Sequence, residues 1–148
     1  VCARDDSCEA RGVHEDNDTQ ATAYPLGTLT DCDELTICDA FGPGDEDWYI
    51  YSGIDEDCAV HATVQLDSAA LEVCQYWRCA DPDLAVTTCP FNTTEATAPN
   101  GAFGCCGVGS WVHDPCVGSF FDNSSATVWI QIVGAVSTCT PYTLYMEF

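Results

Sequence analysis

Val60, Ala62, Val64 and Leu66 are apolar and alternate with His61, Thr63 and Gln65. A period of two puts each set on its own face of an extended chain, so this run predicts a half-buried β-strand. The alternation returns at Val128, Ile130 and Ile132 against Thr127, Trp129 and Gln131. It returns again at Tyr142, Leu144, Met146 and Phe148 against Thr143, Tyr145 and Glu147. Shorter runs lie at Leu35 to Cys38 and Trp48 to Ser52, and Leu71 and Val73 lead into Tyr76 and Trp77. No stretch sustains the i, i+3, i+4, i+7 spacing of an amphipathic helix. Clusters of Gly, Pro, Asp and Asn separate the runs, and residues 80–115, rich in Pro, Gly, Thr and Cys, predict loops and short strands. Many short amphipathic strands bury their apolar faces best as two packed antiparallel sheets. The predicted fold is therefore all-β, a two-sheet antiparallel sandwich. The last run reaches Phe148, so a sheet is expected to hold the end of the chain.

A length of 148 residues fits one domain, and 47% apolar content can fill a core. Residues 1–13 read as a cysteine-bearing arm and 14–148 as the single domain. Three basic residues, Arg4, Arg11 and Arg78, face 24 acidic ones, for a formal net charge of −21. Such a surface repels nucleic acid and anionic membranes. Ser124 to Met146 is uncharged, but Ser, Thr, Gln and Pro interrupt it and it alternates, so no membrane insertion is expected.

Cysteine changes the picture most. Twelve occur, at Cys2, Cys8, Cys32, Cys38, Cys58, Cys74, Cys79, Cys89, Cys105, Cys106, Cys116 and Cys139. An even, dense set in a short chain predicts disulfides and an oxidising compartment. Structural zinc favours close pairs such as C-x2-C, which are absent, and the three histidines are scattered. Sequence alone does not give the pairing, although the neighbours Cys105 and Cys106 are expected to have different partners. Asn17, Asn92 and Asn123 each open an N-x-S/T sequon, and the chain starts at Val1 with no signal segment. Both features suit a processed, secreted or cell-surface glycoprotein.

Glu15-Asp-Asn-Asp-Thr-Gln-Ala-Thr-Ala-Tyr-Pro-Leu26 resembles the opening of bacterial pre-peptidase C-terminal (PPC) domains. Leu35-Thr-Ile-Cys38 with Asp45-Glu-Asp-Trp-Tyr-Ile50, then Val128 to Val133 and Tyr142 to Phe148, are similar to later strands of that family. The resemblance covers residues 14–148. It implies a jelly-roll-like sandwich serving as a non-catalytic accessory, substrate-binding or folding module, with calcium in some members. It also implies Glu15, Asn17, Asp18 and Asp47 as calcium ligands. Solvated acidic turns are the alternative reading, and Asn17 cannot be both a buried ligand and a glycan carrier. The chain departs from the family in its cysteine content and at Ala70-Leu-Glu-Val-Cys-Gln-Tyr-Trp77.

No catalytic constellation stands out. With 24 acids, carboxylate pairs arise by chance. A G-x-S-x-G elbow needs glycine two residues on either side of the serine, which Gly109-Ser-Trp111 breaks, and Ser110 and His113 read as turn and exposed loop residues. No enzyme activity and no required cofactor are expected. Tyr49, Tyr51, Tyr76, Trp129 and Tyr145 fall opposite the apolar sets and predict an aromatic outer face for sugar or protein contact, unless some of them are core. The expected function is a self-assembling fibre or surface-layer subunit or adhesion module. The alternative is a carbohydrate- or matrix-binding accessory module. The partners would be copies of the chain, or extracellular glycan or protein.

Overall fold

The computed structural model describes His14 and residues 16–56, 62–118 and 122–148. The arm at 1–13, Glu15, Cys58 and the first residues of the Val60 run lie outside the described residues. Ten strands follow in order: β1 Tyr24–Thr30, β2 Glu34–Phe41, β3 Asp47–Ile54, β4 Thr63–Leu66, β5 Leu71–Cys79, β6 Thr94–Thr97, β7 Phe103–Gly107, β8 Ser110–Val112, β9 Ala126–Gly134 and β10 Thr140–Glu147. The only helical turns among the described residues are short 3-10 segments at Gln20–Thr22 and Pro82–Leu84.

The strands form two sheets, ordered β1-β3-β9-β5-β7-β6 and β2-β10-β4-β8. Without β1 and β6, eight strands follow jelly-roll order, changing layer at every step except from β5 to β7. Every pairing is antiparallel except β1 with β3. The two-sheet antiparallel sandwich expected from the sequence is what the chain forms, with one parallel pair at this edge. β2, which separates β1 from β3 in sequence, belongs to the opposite sheet, so two reversals bring β3 back beside β1 in the same direction. Edge strands invite unwanted pairing, and the chain blunts three of its own. β1 contains Pro25 and a register break between Pro25 and Gly27, while β6 and β8 are only four and three residues long.

Between the sheets, Tyr49, Tyr51, Leu71, Val73, Trp77, Val128, Ile130 and Ile132 meet Ile37, Phe41, Val64, Leu66, Trp111, Tyr142, Leu144 and Met146. The alternation of Val128–Ile132 and Tyr142–Met146 puts these residues inside, as the period of two requires. Phe148 closes one end: its ring lies where a Cβ at Gly53 would sit, so only glycine fits there.

Disulfides tie the six-stranded sheet to its loops. Cys74 on β5 bonds Cys106 on β7, Cys79 bonds Cys116, and Cys89 bonds Cys105. Cys105 and Cys106 are consecutive strand residues, so their side chains leave opposite faces and reach different partners. Cys32, Cys38 and Cys139 are disulfide-bonded as well. Bonds closing loops of 16 to 37 residues each stabilise a domain by about 3 kcal/mol. They fit an oxidising, extracytoplasmic setting.

Candidate functional site

The most polar part of the interior joins β2, β3 and β10. Asp47 is 2% exposed. Its Oδ2 accepts the Tyr142 hydroxyl at 2.7 Å, and the Tyr142 and Tyr49 hydroxyls are 2.7 Å apart. Tyr49 also donates to Asp39 Oδ2 at 3.2 Å, and His14 Nδ1 lies 3.0 Å from the same oxygen. Burial, with the nearby carboxylates adding to it, raises both phenol pKa values far above normal. Both phenols therefore stay protonated and donate, which a buried carboxylate requires.

This network corrects two expectations. Tyr49 belongs to the core and not to an outer face, because the alternation of β3 runs in the opposite phase: Tyr49 and Tyr51 point in, Trp48 and Ile50 out. Asp47 is turned inward onto Tyr142 and is not offered to a cation in solvent. Asn17, another expected calcium ligand, is 1% exposed. Its Nδ2 donates to the Trp48 carbonyl at 3.1 Å, and the Asn17 backbone carbonyl accepts the Trp48 N–H at 2.9 Å. Asp18 is exposed and Glu15 lies outside the described residues. Among the described residues no group of three or more His, Cys, Asp or Glu side chains is placed to hold a metal.

The Asn17 burial has a second consequence. A glycan is attached to the amide nitrogen, which here is sealed against the backbone, so Asn17 is not a glycan site in the folded domain. Asn92 and Asn123 are exposed, the first in left-handed backbone (φ 64°) and the second accepting the Ser125 N–H at 3.0 Å.

An aromatic outer face does exist on the six-stranded sheet, but the chain covers it. Trp48 and Tyr76 stack with centroids 5.6 Å apart, and Trp129 joins them. Ala98 and Ala102, from the turn between β6 and β7, roof the cluster, and the Cys74–Cys106 bond lies within it. The Asn100 N–H reaches Gln20 Oε1 at 2.8 Å, pinning the turn to the first 3-10 segment. Burial, with Glu46 and Glu72 adding to it, pushes the Tyr76 phenol up to about 12, and its hydroxyl donates to Gln131 Oε1 at 2.9 Å. Of the five residues expected as a binding face, Tyr49 and Tyr51 are inside the sandwich and Tyr76 and Trp129 are under this roof. Tyr145 alone remains part-exposed, on the outside of the four-stranded sheet.

Ser110 and His113 do not form a nucleophile pair. Three positions apart in extended chain, they leave opposite faces. Ser110 is exposed, whereas His113 is 8% exposed, its ring centroid 4.6 Å from that of Trp77. Burial lowers its pKa, with Asp114 opposing. The expectation of an exposed loop histidine is corrected: β8 carries on the alternation through Trp111, and His113 follows it inward.

Sequence reasoning missed the surface around His113. Five large apolar side chains are exposed among the described residues, and four of them, Phe91, Val108, Val112 and Val117, lie between positions 91 and 117. Phe91 is 91% exposed. Val112, Val117, Pro90 and Val86 line a cleft of about 300 Å³ that His113 and Asp114 floor. The available signal was an aromatic residue in the turn Cys89-Pro-Phe-Asn92, where no strand could bury it.

No protein-family model and no curated protein matches the chain. Among solved structures, it is similar to a mutant of PliG-Ec, a periplasmic lysozyme inhibitor of g-type lysozyme from Escherichia coli. The match has 7% identity over 82% of this chain and 96% of that one, with a TM-score of 0.37.

Proposed function

We propose that this domain is a non-catalytic extracellular structural or adhesive module that assembles with copies of itself through the apolar end around Phe91. The observation behind this reading is that four of the five exposed large apolar side chains among the described residues, Phe91, Val108, Val112 and Val117, fall within residues 91–117, two of them lining one cleft with Pro90, on a chain whose net charge is −21. Apolar side chains left together in water mark contact surfaces. The PPC-like features of residues 14–148 support the same accessory, non-catalytic reading. The carboxylates best shielded from water, Asp39 and Asp47, are occupied by phenols and His14 and hold strands together.

Like charges oppose association between copies, so self-assembly through an apolar patch strengthens as salt screens them. Docking to a cationic partner would weaken instead. Sedimentation velocity at low and high ionic strength tests this on wild type, Phe91→Asp and Asn92→Gln, the last because a glycan there would sit beside the patch. Wild type is expected to form larger species as salt rises, and Phe91→Asp to stay monomeric. A wild type that remains monomeric under all conditions would overturn the proposal in favour of the ligand-binding alternative.

A further inference from the structure

Arg78 is the one Lys or Arg among the described residues. The chain has 24 acidic residues, yet among the described residues the sole ion pair is His14 with Asp39, and no carboxylate reaches the Arg78 guanidinium. Arg78 donates one hydrogen bond, to the Asn100 carbonyl at 3.3 Å, and its guanidinium sits 5.9 Å above the Trp129 ring. These contacts hold the head in place on an exposed side chain while most of its five N–H donors stay unused.

Pairing sets what surrounds it. Arg78 on β5 is opposite Thr127 on β9, which is opposite Ser52 on β3. Arg78, Thr127 and Ser52 thus form one row across the outside of the six-stranded sheet, just beyond the aromatic cluster. At this end β3 and β5 finish and β9 begins; the adjoining row, Gly53, Ala126 and Cys79, faces the sandwich interior, and the next residues on the Arg78 face are Ile54, Ser125 and Ala80. A cleft of about 250 Å³ opens here, lined by Arg78 and the hydroxyl residues Ser52, Ser125 and Thr127 together with Ile54, Ala80 and the row between them.

We propose that this cleft binds a small ligand through its carboxylate, with Ser52 and Thr127 placed to meet a polar group beside it. A guanidinium fork takes a carboxylate in a bidentate pair. The acidity of the chain narrows the class further. A polyanion would be repelled along its length, whereas a monoanion meets local attraction at short range. The carboxylate could belong to a sugar acid or to an acidic amino-acid side chain, and the two are separable.

The test is titration of the full chain with glucuronate, with N-acetylglutamate amide and with glucose, followed by 15N NMR at the Arg78 Nε–H and the Trp129 indole N–H. Saturable shifts with Kd on the order of 1 mM are expected for a carboxylate ligand and none for glucose. Tighter binding of glucuronate assigns a sugar acid, and tighter binding of the glutamate derivative assigns a peptide source. Arg78→Gln should weaken binding at least about tenfold and Arg78→Lys less, because the lysine keeps the charge and loses the fork. Arg78 is exposed, so neither variant should disturb folding, and dispersed spectra check this. Glucose binding as well as glucuronate, saturation unaffected by Arg78→Gln, or no saturable shift with either carboxylate would each overturn the proposal. None of these outcomes depends on whether the Phe91 surface assembles.

Discussion

The two apolar clusters of this domain lie back to back on the six-stranded sheet and are built by different means. The inner one joins two sheets through residues two apart on long strands, among them Val128, Ile130 and Ile132 facing Tyr142, Leu144 and Met146. The outer one sets Trp48, Tyr76 and Trp129 under a turn of small residues, with Ala98 and Ala102 as the roof and one disulfide as a clamp. Strand periodicity generates the first, and a loop folding back generates the second. The tryptophans divide evenly between them, Trp77 and Trp111 inside and Trp48 and Trp129 outside. Four indole N–H signals can therefore report on each cluster separately. The difference teaches a hierarchy: the outer cluster needs the sheet beneath it, while the sandwich does not need the roof.

The strongest way to break that hierarchy is from within. Ile130 is fully buried, paired with Tyr49 on β3 and Gln75 on β5. Ile130→Ala should cost about 2–5 kcal/mol, through lost burial and a cavity that closely packed neighbours cannot fill. In urea denaturation the midpoint should fall with little change in slope, and all four indoles should lose their native environment together. Outer signals that outlast the inner ones would reverse the hierarchy.

The converse change strikes the roof. Ala102→Asp puts a carboxylate into the buried apolar cluster of Trp48, Tyr76 and Trp129. The expected cost is about 1–3 kcal/mol, the price of an unsatisfied buried polar group. The Trp48 and Trp129 indole signals should move toward solvent-exposed positions and amides in β6 and β7 should exchange faster. The Trp77 and Trp111 signals should hold. Simultaneous loss of all four would mean that the two clusters form a single cooperative unit.

The same division explains what could be read from the sequence. The inner cluster was legible wherever one residue type alternated cleanly, as along β9 and β10. It was illegible at β3, where Trp48, Tyr49, Ile50 and Tyr51 are all large and partly apolar, so nothing marks which face turns inward. Tyr49 and Tyr51 were consequently read on the wrong side. What decides the phase is polar and distant in sequence: the Tyr49 hydroxyl meets Tyr142 and Asp39 across the sandwich. Of the outer aromatic set, Tyr76 and Trp129 were legible, but Trp48 and the roof were not. Ala98 and Ala102 flank an Asn-Gly turn, and their small size becomes meaningful only once the turn lies over the rings. Asn17 failed for a related reason, since a sequon reports local chemistry and burial against Trp48 is a long-range fact. The Arg78 cleft depends on register among three strands, which no local pattern encodes.

The smallest effect distinguishes the clusters by pH. His113 packs on Trp77 at the margin of the inner cluster, and burial lowers its pKa below the ordinary 6.5. Just below that value the unfolded chain binds a proton that the folded chain refuses, so the unfolded state holds more protons. Stability must then fall as pH drops through about 6.5 and level off once the folded histidine also titrates. Asp31 works with the opposite sign. Burial, together with the nearby Asp55, raises its pKa above 3.8, so it favours the folded state only as pH falls toward the carboxylate range. The two windows separate, and His113 governs the upper one. Urea midpoints measured from pH 8 to pH 5 should decline for wild type and flatten in that window for His113→Phe, which keeps a ring against Trp77 without a titrating nitrogen. Over the same range the Trp77 indole should shift while Trp48 and Trp129 stay still. A shift shared by the outer pair would show that protonation at the end of the sandwich is felt through the sheet, and the separation of the two clusters would fail at its most sensitive point.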